Sequence, residues 1–267
     1  MILGISGKIG SGKDTVGKII QYLICLELNT LAPHQFSFKD FVKSTASNEI
    51  QSGFKIKKFA DNLKDTVCLW TGCTRAQLED QDFKNKELGE EWNCYIFNNG
   101  KKEELTLNYN IAKTLSADNR IISRILTPRL LLQLLGTECG RNIIHPNIWV
   151  NTLFADYKSC SLPDETTFIN DEEFIRKNSS QWIITDMRFP NELEAVKSRG
   201  GITIRVNRPY TTVVGGNGIP ATFSQNQFHP SETSLDNAEF DYTIENNSSI
   251  EDLIHTVSLI LKKEKII

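Results

Sequence analysis

The chain has 267 residues, of which 39% are hydrophobic, and its formal net charge is −3. This length allows one large domain with an inserted subdomain, and a slightly acidic protein is a poor candidate for general nucleic-acid binding. The apolar start is too short for a signal peptide, and no apolar run is long enough to span a membrane. Six cysteines without a CxxC motif indicate reduced thiols, so we expect a cytoplasmic protein.

Strands and helices alternate in the first part of the chain, as judged from the spacing of apolar residues. Two short strand-like stretches separated by Asn99-Gly100 predict a β-hairpin, because this dipeptide favours tight hairpin turns. In chain order, the predicted elements are a strand at 2–6, a helix after Lys13, a strand at 54–60, a helix through Val67, a helix at 74–88 capped by Thr74, and the hairpin within 92–107.

The alternation continues in the second part of the chain. Residues 159–180 and 209–232 are predicted loops. Strands that alternate with helices imply a mostly parallel sheet covered on both faces, and such α/β folds bind ligands beyond the carboxyl ends of the strands. The predicted elements are a helix with Pro128 near its start and Gly136 near its end, a helix from Asn147 towards Tyr157, strands at 181–186, 202–207 and 241–246, a helix at 191–201, and a last helix with a capping box at 248–251.

The stretch GKIGSGKDT lies between the first predicted strand and the first predicted helix. Phosphate-binding loops have this arrangement, in which backbone N–H groups surround the phosphates and a lysine neutralises their charge. We therefore predict a nucleotide site in which Lys13 is a catalytic residue. The predicted nucleotide-binding residues of the loop are Gly7, Lys8, Gly10, Ser11, Gly12, Lys13, Asp14 and Thr15.

Asp14 is the unusual residue of this loop, because a serine or threonine hydroxyl that contacts magnesium usually follows the lysine. Thr15 comes next and offers such a hydroxyl. One interpretation is that Asp14 and Thr15 take part in a magnesium site, directly or through water. The other is that Asp14 only stabilises the N-terminus of the helix through its negative charge.

A second group of candidate catalytic residues lies in WIITDMRFPNE. Asp186 is at the end of an apolar strand, from which a carboxylate can reach a magnesium ion through water. Arg188 follows two residues later, and an arginine at this edge can stabilise charge on a transferring phosphoryl group. Alternatively, Asp186 caps the following helix and Arg188 is its surface partner.

Further candidates for substrate binding lie in the middle of the chain. Arg129 and Arg141 offer bidentate phosphate contacts, and the amide of Gln133 can donate to and accept from a nucleobase. Asp61 and Lys64 follow the second predicted strand, where a second substrate can lie. Each of these residues, taken alone, is also typical of a solvated helix surface.

Taken together, these segments resemble the deoxynucleoside monophosphate kinases of the phage and large-virus type. The blocks that carry the resemblance are GKIGSGKDTVG, FADNLKD, RLLLQLLGTECGR with IWV after it, ITDMRFPNELEAV followed by ITIRVNRP, and HPSETSLDNAEFDYTIEN. In this family the loop also ends in GKDT. The chain departs from the pattern by insertions at 25–53 and 92–108.

The resemblance implies a P-loop nucleoside-monophosphate-kinase fold: three α/β/α layers around a mostly parallel five-stranded sheet, with helical and hairpin insertions. It implies a single domain over 1–267, with an acceptor-binding insertion at about 61–160 and a lid at about 186–232. It also implies that the γ-phosphate of ATP is transferred to a deoxynucleoside 5′-monophosphate, with magnesium as cofactor and no membrane or nucleic-acid partner. A homodimer and, for a viral protein, a location in the host cytoplasm fit the same family.

Three residues enter the predicted site only through this resemblance. Arg208 is expected to close over the ATP phosphates together with Arg188. Thr137 and Trp149, inside the matching blocks, join Asp61, Lys64, Arg129, Gln133 and Arg141 as predicted substrate-binding residues.

Two other functions compete with this prediction. One is another small-molecule kinase with a similar loop, such as one resembling dephospho-coenzyme A kinase, although the acceptor segment of that family has no match here. The other is a non-catalytic nucleotide-binding module, which would keep the loop but would not need arginines arranged for an acceptor.

Overall fold

The computed structural model divides into two compact units. Unit 1 comprises Met1–Phe59 and Leu153–Ile267, and unit 2 comprises Ala60–Thr152. Unit 2 has nearly the extent of the insertion expected at about 61–160, whose role in acceptor binding stays a prediction. The residues that the structure describes are 1–28, 30, 37–44, 52–92, 96–98, 101–103, 126–159, 179–208 and 230–267.

The strands within these ranges are β1 (Ile2–Ser6), β2 (Lys55–Lys57), β3 (Ile96–Asn98), β4 (Lys101–Glu103), β5 (Trp182–Met187), β6 (Ile202–Asn207) and β7 (Tyr242–Glu245). Five of them form a sheet in unit 1, in the order β2-β5-β1-β6-β7. All neighbours in this sheet are parallel, and Leu3 of the central strand lies opposite both Ile183 and Ile202. The carboxyl ends of all five strands therefore meet at one edge, as the sequence predicts for an α/β fold.

The helices of the described ranges are α1 (Lys13–Glu27), α2 (Phe38–Lys43), α3 (Asp61–Thr71), α4 (Arg75–Glu79), α5 (Gln81–Asn85), α6 (Pro128–Gln133), α7 (Ile148–Phe154), α8 (Pro190–Lys197), α9 (Pro230–Thr233) and α10 (Ile250–Lys263). A 3-10 turn at Glu90–Trp92 and a π-helix at Leu134–Ile144 complete them.

Helices cover both faces of the sheet in unit 1. On one face α1 packs against α10, and the apolar side of α1 is buried as its periodicity predicts. On the other face α8 lies against β1 and β6. A Cβ atom on Gly4 would come within 3.0 Å of Val196 Cγ1, so a glycine in β1 lets α8 approach closely. The three α/β/α layers expected from the sequence are thus present.

The described residues of unit 2 are mainly helical. Its apolar cluster is centred on Val67, Leu78 and Leu131, which come from α3, α4 and α6. The strands β3 and β4 pair antiparallel in the hairpin that the sequence predicts, whose turn at Asn99-Gly100 lies outside the described residues.

Three predicted element boundaries are wrong. The helix expected at 74–88 is interrupted at Asp80, which ends α4 and then accepts a hydrogen bond from Phe83 N to begin α5. The helix from Pro128 does not end near Gly136 but continues as the π-helix. Here the glycine allows close packing instead of ending the helix, since a Cβ atom there would lie 3.0 Å from Leu63 Cδ2. The N-cap of α10 is Ser249, one residue later than expected.

Two broader expectations concern thiols and membranes. Cys25, Cys68, Cys73 and Cys139 are free thiols, while Cys94 and Cys160 belong to the undescribed ranges. No helix within the described part of the chain combines the length and the hydrophobicity that crossing a bilayer requires.

Candidate active site

The predicted phosphate-binding loop connects β1 to α1 at the carboxyl edge of the sheet. Gly10 and Gly12 have φ values of 75° and 99°, which residues with a side chain rarely adopt. Gly12 also lies against Asn246, whose Nδ2 donates a 2.8 Å hydrogen bond to the carbonyl oxygen of Ser11. A Cβ atom on Gly12 would come within 2.5 Å of that Nδ2. Backbone conformation and close packing thus explain two of the three glycines in the motif.

Lys13 lies folded against this loop and is only 8% exposed. Its Nζ donates hydrogen bonds of 2.7 Å to the carbonyl oxygen of Gly7 and 2.8 Å to that of Lys8. Burial, together with the nearby positive charge of Arg188, lowers the pKa of Lys13 to about 8. A buried cation in this state gains stability when an anion binds beside it, which is the property that phosphate recognition needs.

Asp14 bridges two neighbouring strands of the sheet. Its Oδ1 accepts a 2.7 Å hydrogen bond from Thr185 Oγ1 in β5 and lies 2.8 Å from Nζ of Lys58, just after β2. Burial opposes its ionisation, but the hydrogen bonds from Lys58 and Thr185 outweigh that effect and lower the pKa of the carboxyl group. Asp14 is therefore a carboxylate, and 63% of its side chain remains exposed.

Asp186 lies in β5, and its Oδ1 accepts a 2.8 Å hydrogen bond from the backbone N–H of Phe59. The N-terminus of α8 is capped by another residue: Glu192 Oε2 accepts from the backbone N–H groups of Arg188 at 2.7 Å and Phe189 at 3.1 Å. The sequence allows Asp186 to be the cap of this helix, but the cap is made by Glu192. Arg188 follows at the same sheet edge and has an acidic partner, Glu232.

Residues 230–240, here called the closing segment, bring two carboxylates to the loop. Glu232 pairs with the guanidinium of Arg188, and its Oε2 accepts a 2.8 Å hydrogen bond from the backbone N–H of Ile9. Asp236 lies 3.0 Å from Nζ of Lys8 and 2.9 Å from Nη2 of Arg205. Both carboxylates thus neutralise cationic groups around the phosphate-binding loop.

The predicted substrate-binding residues lie in unit 2, and two of them have ion-pair partners there. Asp61 Oδ1 is 2.9 Å from Nη2 of Arg75, and Lys64 pairs with Glu79. These pairs join α3 to α4, so both side chains have a structural role in addition to any role in binding.

The remaining predicted side chains lie on α6 and on the π-helix. Arg129 donates 2.7 Å hydrogen bonds to Asn85 Oδ1 and Gln81 Oε1, which ties α6 to α5. Gln133 is exposed and Arg141 is half-buried on the π-helix. Arg129 is thus engaged within the unit by contacts that the sequence does not reveal.

Trp149 and Thr137 complete the predicted set. Trp149 is 6% exposed, and its Nε1 donates a 2.8 Å hydrogen bond to the carbonyl oxygen of Gly136. A Cβ atom on Gly140 would come within 3.0 Å of the Trp149 ring. The indole therefore braces the π-helix, on which Thr137 is half-buried. A π-helix of 11 residues is unusual, because π-helical geometry mostly occurs as single turns.

Several residues at the loop have no signal in the motif itself. Lys58, Thr185 and Asn246 reach the loop because β2, β5 and β7 end at the same edge of the sheet as β1. Glu192 and Glu232 lie within sequence blocks that resemble the kinases, so the resemblance could have identified them as site residues. Arg208, predicted from the same resemblance, is exposed directly after β6.

A family model described as deoxynucleotide monophosphate kinase matches residues 1–257. The chain belongs to the deoxynucleotide monophosphate kinase family. It is therefore a phosphotransferase that acts on nucleotides, and the family implies the use of ATP. This confirms the resemblance found in the sequence and favours it over the alternative small-molecule kinase and the non-catalytic module.

Two similar proteins have names that belong to this kinase family. The deoxynucleoside-5′-monophosphate kinase of Escherichia phage T5 is 26% identical over 245 residues, covering 88% of this chain and 85% of that protein. A protein of Acanthamoeba polyphaga mimivirus that carries a deoxynucleotide monophosphate kinase name is 27% identical over 134 residues, or 47% and 56% of the two chains.

A dephospho-CoA kinase structure from Campylobacter jejuni also matches, with a TM-score of 0.38 and 14% identity over 98% of this chain and 96% of that one. Similarity at this level carries no argument about activity.

Proposed function

We propose that the protein transfers the γ-phosphoryl group of ATP to deoxynucleoside 5′-monophosphates, and that Lys13 and the loop amides hold the phosphates of ATP. The observation that carries the donor assignment is the state of Lys13: a buried ammonium, held by the carbonyls of Gly7 and Lys8, with a lowered pKa. Phosphoryl transfer depends mainly on positioning and on charge neutralisation, so such a cation is the group it needs.

We further propose that Asp186 and Asp14, with the hydroxyl of Thr15, hold a magnesium ion through water molecules. The chemistry of these groups fits, because magnesium prefers oxygen ligands and usually keeps several waters beside one or two carboxylates and the substrate phosphates. The charges of Asp14 and Asp186 both act on Lys13, so both carboxylates lie near the loop. When bound, magnesium would neutralise charge on the phosphate oxygens.

The roles of the cationic residues are proposed from their positive charge. Arg188, and Arg208 after β6, are proposed to contact the γ-phosphoryl group, and Arg188 is supported by its ion pair with Glu232 beside the loop. For the acceptor phosphate we propose Arg141 and Arg129, since a guanidinium can bind phosphate through two parallel hydrogen bonds; Arg129 also has a structural role through Gln81 and Asn85. The other proposed acceptor-binding residues are Asp61, Lys64, Gln133, Thr137 and Trp149.

A coupled assay of ADP release tests the proposal, with ATP, magnesium and each deoxynucleoside monophosphate in turn. ADP that appears with only some monophosphates, and not with dephospho-coenzyme A, would support the proposal and name the accepted bases. ADP release at the same rate without an acceptor would make the protein an ATPase. Ribonucleoside monophosphates are the matched controls for sugar selectivity.

We also propose a homodimer without affinity for nucleic acid, working in the cytoplasm of its host if the protein is viral. Sedimentation velocity, with and without nucleotides, measures the first property. Titration with labelled DNA at low salt measures the second, because electrostatic binding is strongest under that condition.

A further inference from the structure

Glu232 connects two groups that belong to different parts of the donor site. Its Oε2 accepts a 2.8 Å hydrogen bond from the backbone N–H of Ile9, in the phosphate-binding loop. Its Oε1 pairs with Nη1 of Arg188, which follows β5. Only 7% of the Glu232 side chain is exposed. One carboxylate therefore ties an arginine to the loop.

A buried carboxylate is costly unless both of its oxygens are engaged, and here both are. The arrangement also restrains the arginine, whose long side chain otherwise samples many rotamers. A guanidinium carries five N–H groups, so it can bind a carboxylate and a phosphoryl oxygen at the same time. The contact with Glu232 is thus compatible with a role of Arg188 in catalysis.

We propose that Glu232 is a positioning residue for phosphoryl transfer: it holds the guanidinium of Arg188 against the phosphate-binding loop, where the γ-phosphoryl group of the donor lies. This inference rests on the proposed function. A preorganised cation stabilises developing charge without reorganising during the reaction, and a displacement of about 1 Å can cost on the order of 100-fold in rate. Through Arg188, Glu232 therefore contributes to the donor site.

A different role for Glu232 makes the opposite prediction about nucleotide affinity. If its carboxylate took the place of a phosphate group, it would compete with ATP, and its removal would strengthen ATP binding. A positioning residue acts instead on the rate of transfer and does so through Arg188.

The test compares Glu232→Gln with Asp236→Asn. Both variants replace one carboxylate of the closing segment by an amide, but Asp236 pairs with Lys8 and Arg205 and not with Arg188. For Glu232→Gln we expect kcat to fall on the order of 100-fold, while the KM of both substrates and the Kd of ATP change less than about threefold. For Asp236→Asn we expect kcat to change less than about fivefold.

A double-mutant cycle with Arg188→Gln shows whether the two residues act as a unit. If Glu232 acts through Arg188, the double variant is no slower than Arg188→Gln alone, within about twofold. Thermal denaturation of each variant checks the fold. If Glu232→Gln does not fold, Glu232→Asp replaces it, because the shorter carboxylate keeps the charge but cannot reach both partners, and we expect a similar loss of kcat.

Three outcomes overturn the inference: losses that multiply in the double variant, equal effects of Glu232→Gln and Asp236→Asn, or tighter ATP binding by Glu232→Gln. A wild-type protein that transfers no phosphate to any deoxynucleoside monophosphate overturns the proposed function, and the role of Glu232 with it. Activity in the wild type together with any of the three outcomes overturns the role of Glu232 alone.

Discussion

Asp14 at the start of α1 accepts a 2.7 Å hydrogen bond from Thr185 in β5. The same carboxylate pairs with Lys58, so the residue that departs from the usual loop motif links three segments of the chain. Negative charge near a helix N-terminus is favourable in itself. The two fixed partners give the carboxylate a defined orientation as well, which is what a ligand for magnesium-bound water needs.

Asp14→Asn separates these two contributions. The amide oxygen can still accept from Thr185, but the negative charge is lost. We expect the magnesium concentration for half-maximal rate to rise about tenfold, as for other residues that orient metal ligands. Because 63% of the Asp14 side chain is exposed, the ion pair with Lys58 is screened by solvent, and the free energy of unfolding should change by about 1 kcal/mol or less. Rates measured across a magnesium titration, with denaturant unfolding in parallel, provide both values.

Lys58→Met is the matched control for Asp14→Asn, since it removes the same ion pair and keeps the carboxylate. An equal change in the magnesium requirement in both variants would mean that Asp14 acts only as the ion-pair partner of Lys58.

The lowered pKa of Lys13 predicts how nucleotide affinity depends on pH. The pKa is about 8 in the folded protein, against 10.5 for an ordinary lysine. Below about 8 the ammonium is charged and binds phosphate; as the pH rises further, the ligand-free protein loses this proton first. We therefore expect the Kd of ADP to increase by up to about tenfold per pH unit above that value. Isothermal titration calorimetry also detects the accompanying proton uptake.

The same titration has the opposite effect on the stability of the ligand-free protein. Between the folded and the unfolded pKa of Lys13, the unfolded chain binds more protons, so this residue makes the free energy of unfolding rise with pH. Lys13→Met should remove both pH dependences and abolish transfer. A Kd of ADP that still weakens with pH in Lys13→Met would assign the titration to another group.

Arg141 and Arg129 are both predicted to bind the phosphate of the acceptor. Arg141→Ala should raise the KM of the monophosphate about 10- to 100-fold, the value of a charged hydrogen bond, with ATP affinity unchanged. Arg129→Ala should also raise this KM and, because it removes two contacts within unit 2, should lower stability by about 0.5–1.5 kcal/mol. Steady-state kinetics and denaturant unfolding of the two variants make the comparison. Loss of ATP affinity in Arg141→Ala would move this residue to the donor side.

Trp149→Phe tests whether the π-helix depends on its buried indole. The substitution leaves the carbonyl oxygen of Gly136 without its donor, at a cost of about 1–3 kcal/mol in the free energy of unfolding. Trp70→Phe is the control, because Trp70 belongs to the same unit and is 50% exposed. If Trp149 instead contacts the substrate, the acceptor KM will rise without a comparable loss of stability.

Much of the fold follows from local pattern. The central strand, the amphipathic α1 and the glycine loop between them are encoded in adjacent residues, so periodicity and the motif identify them. The break at Asp80 is different, because this side chain both ends one helix and begins the next, and helical periodicity continues across it. The π-helix also escapes prediction, since it depends on the packing of Gly136 and on the hydrogen bond from Trp149.

The site is predictable to the extent that its residues share a motif. Lys13 belongs to the glycine-loop motif and Asp186 lies at the end of an apolar strand, so adjacent residues mark both of them. Thr185 and Lys58 become partners of Asp14 only through the order of strands in the sheet, which a single sequence does not give. Glu232 lies in a block that resembles the kinases, but its contacts with Ile9 and Arg188 join three distant segments and cannot be read from that block.

The position of β1 at the centre of the sheet has a consequence for folding. Leu3 pairs with Ile183 and Ile202, so both neighbours of the strand that carries the loop are distant in the chain. Contacts between distant residues form late, because the entropy of closing a long loop must be lost before they contribute. Until β5 and β6 have been synthesised, β1 is an apolar segment without a neighbouring strand, and such segments favour aggregation. The loop between β1 and α1 is thus synthesised before β5 and β6, the two strands that flank β1 in the sheet.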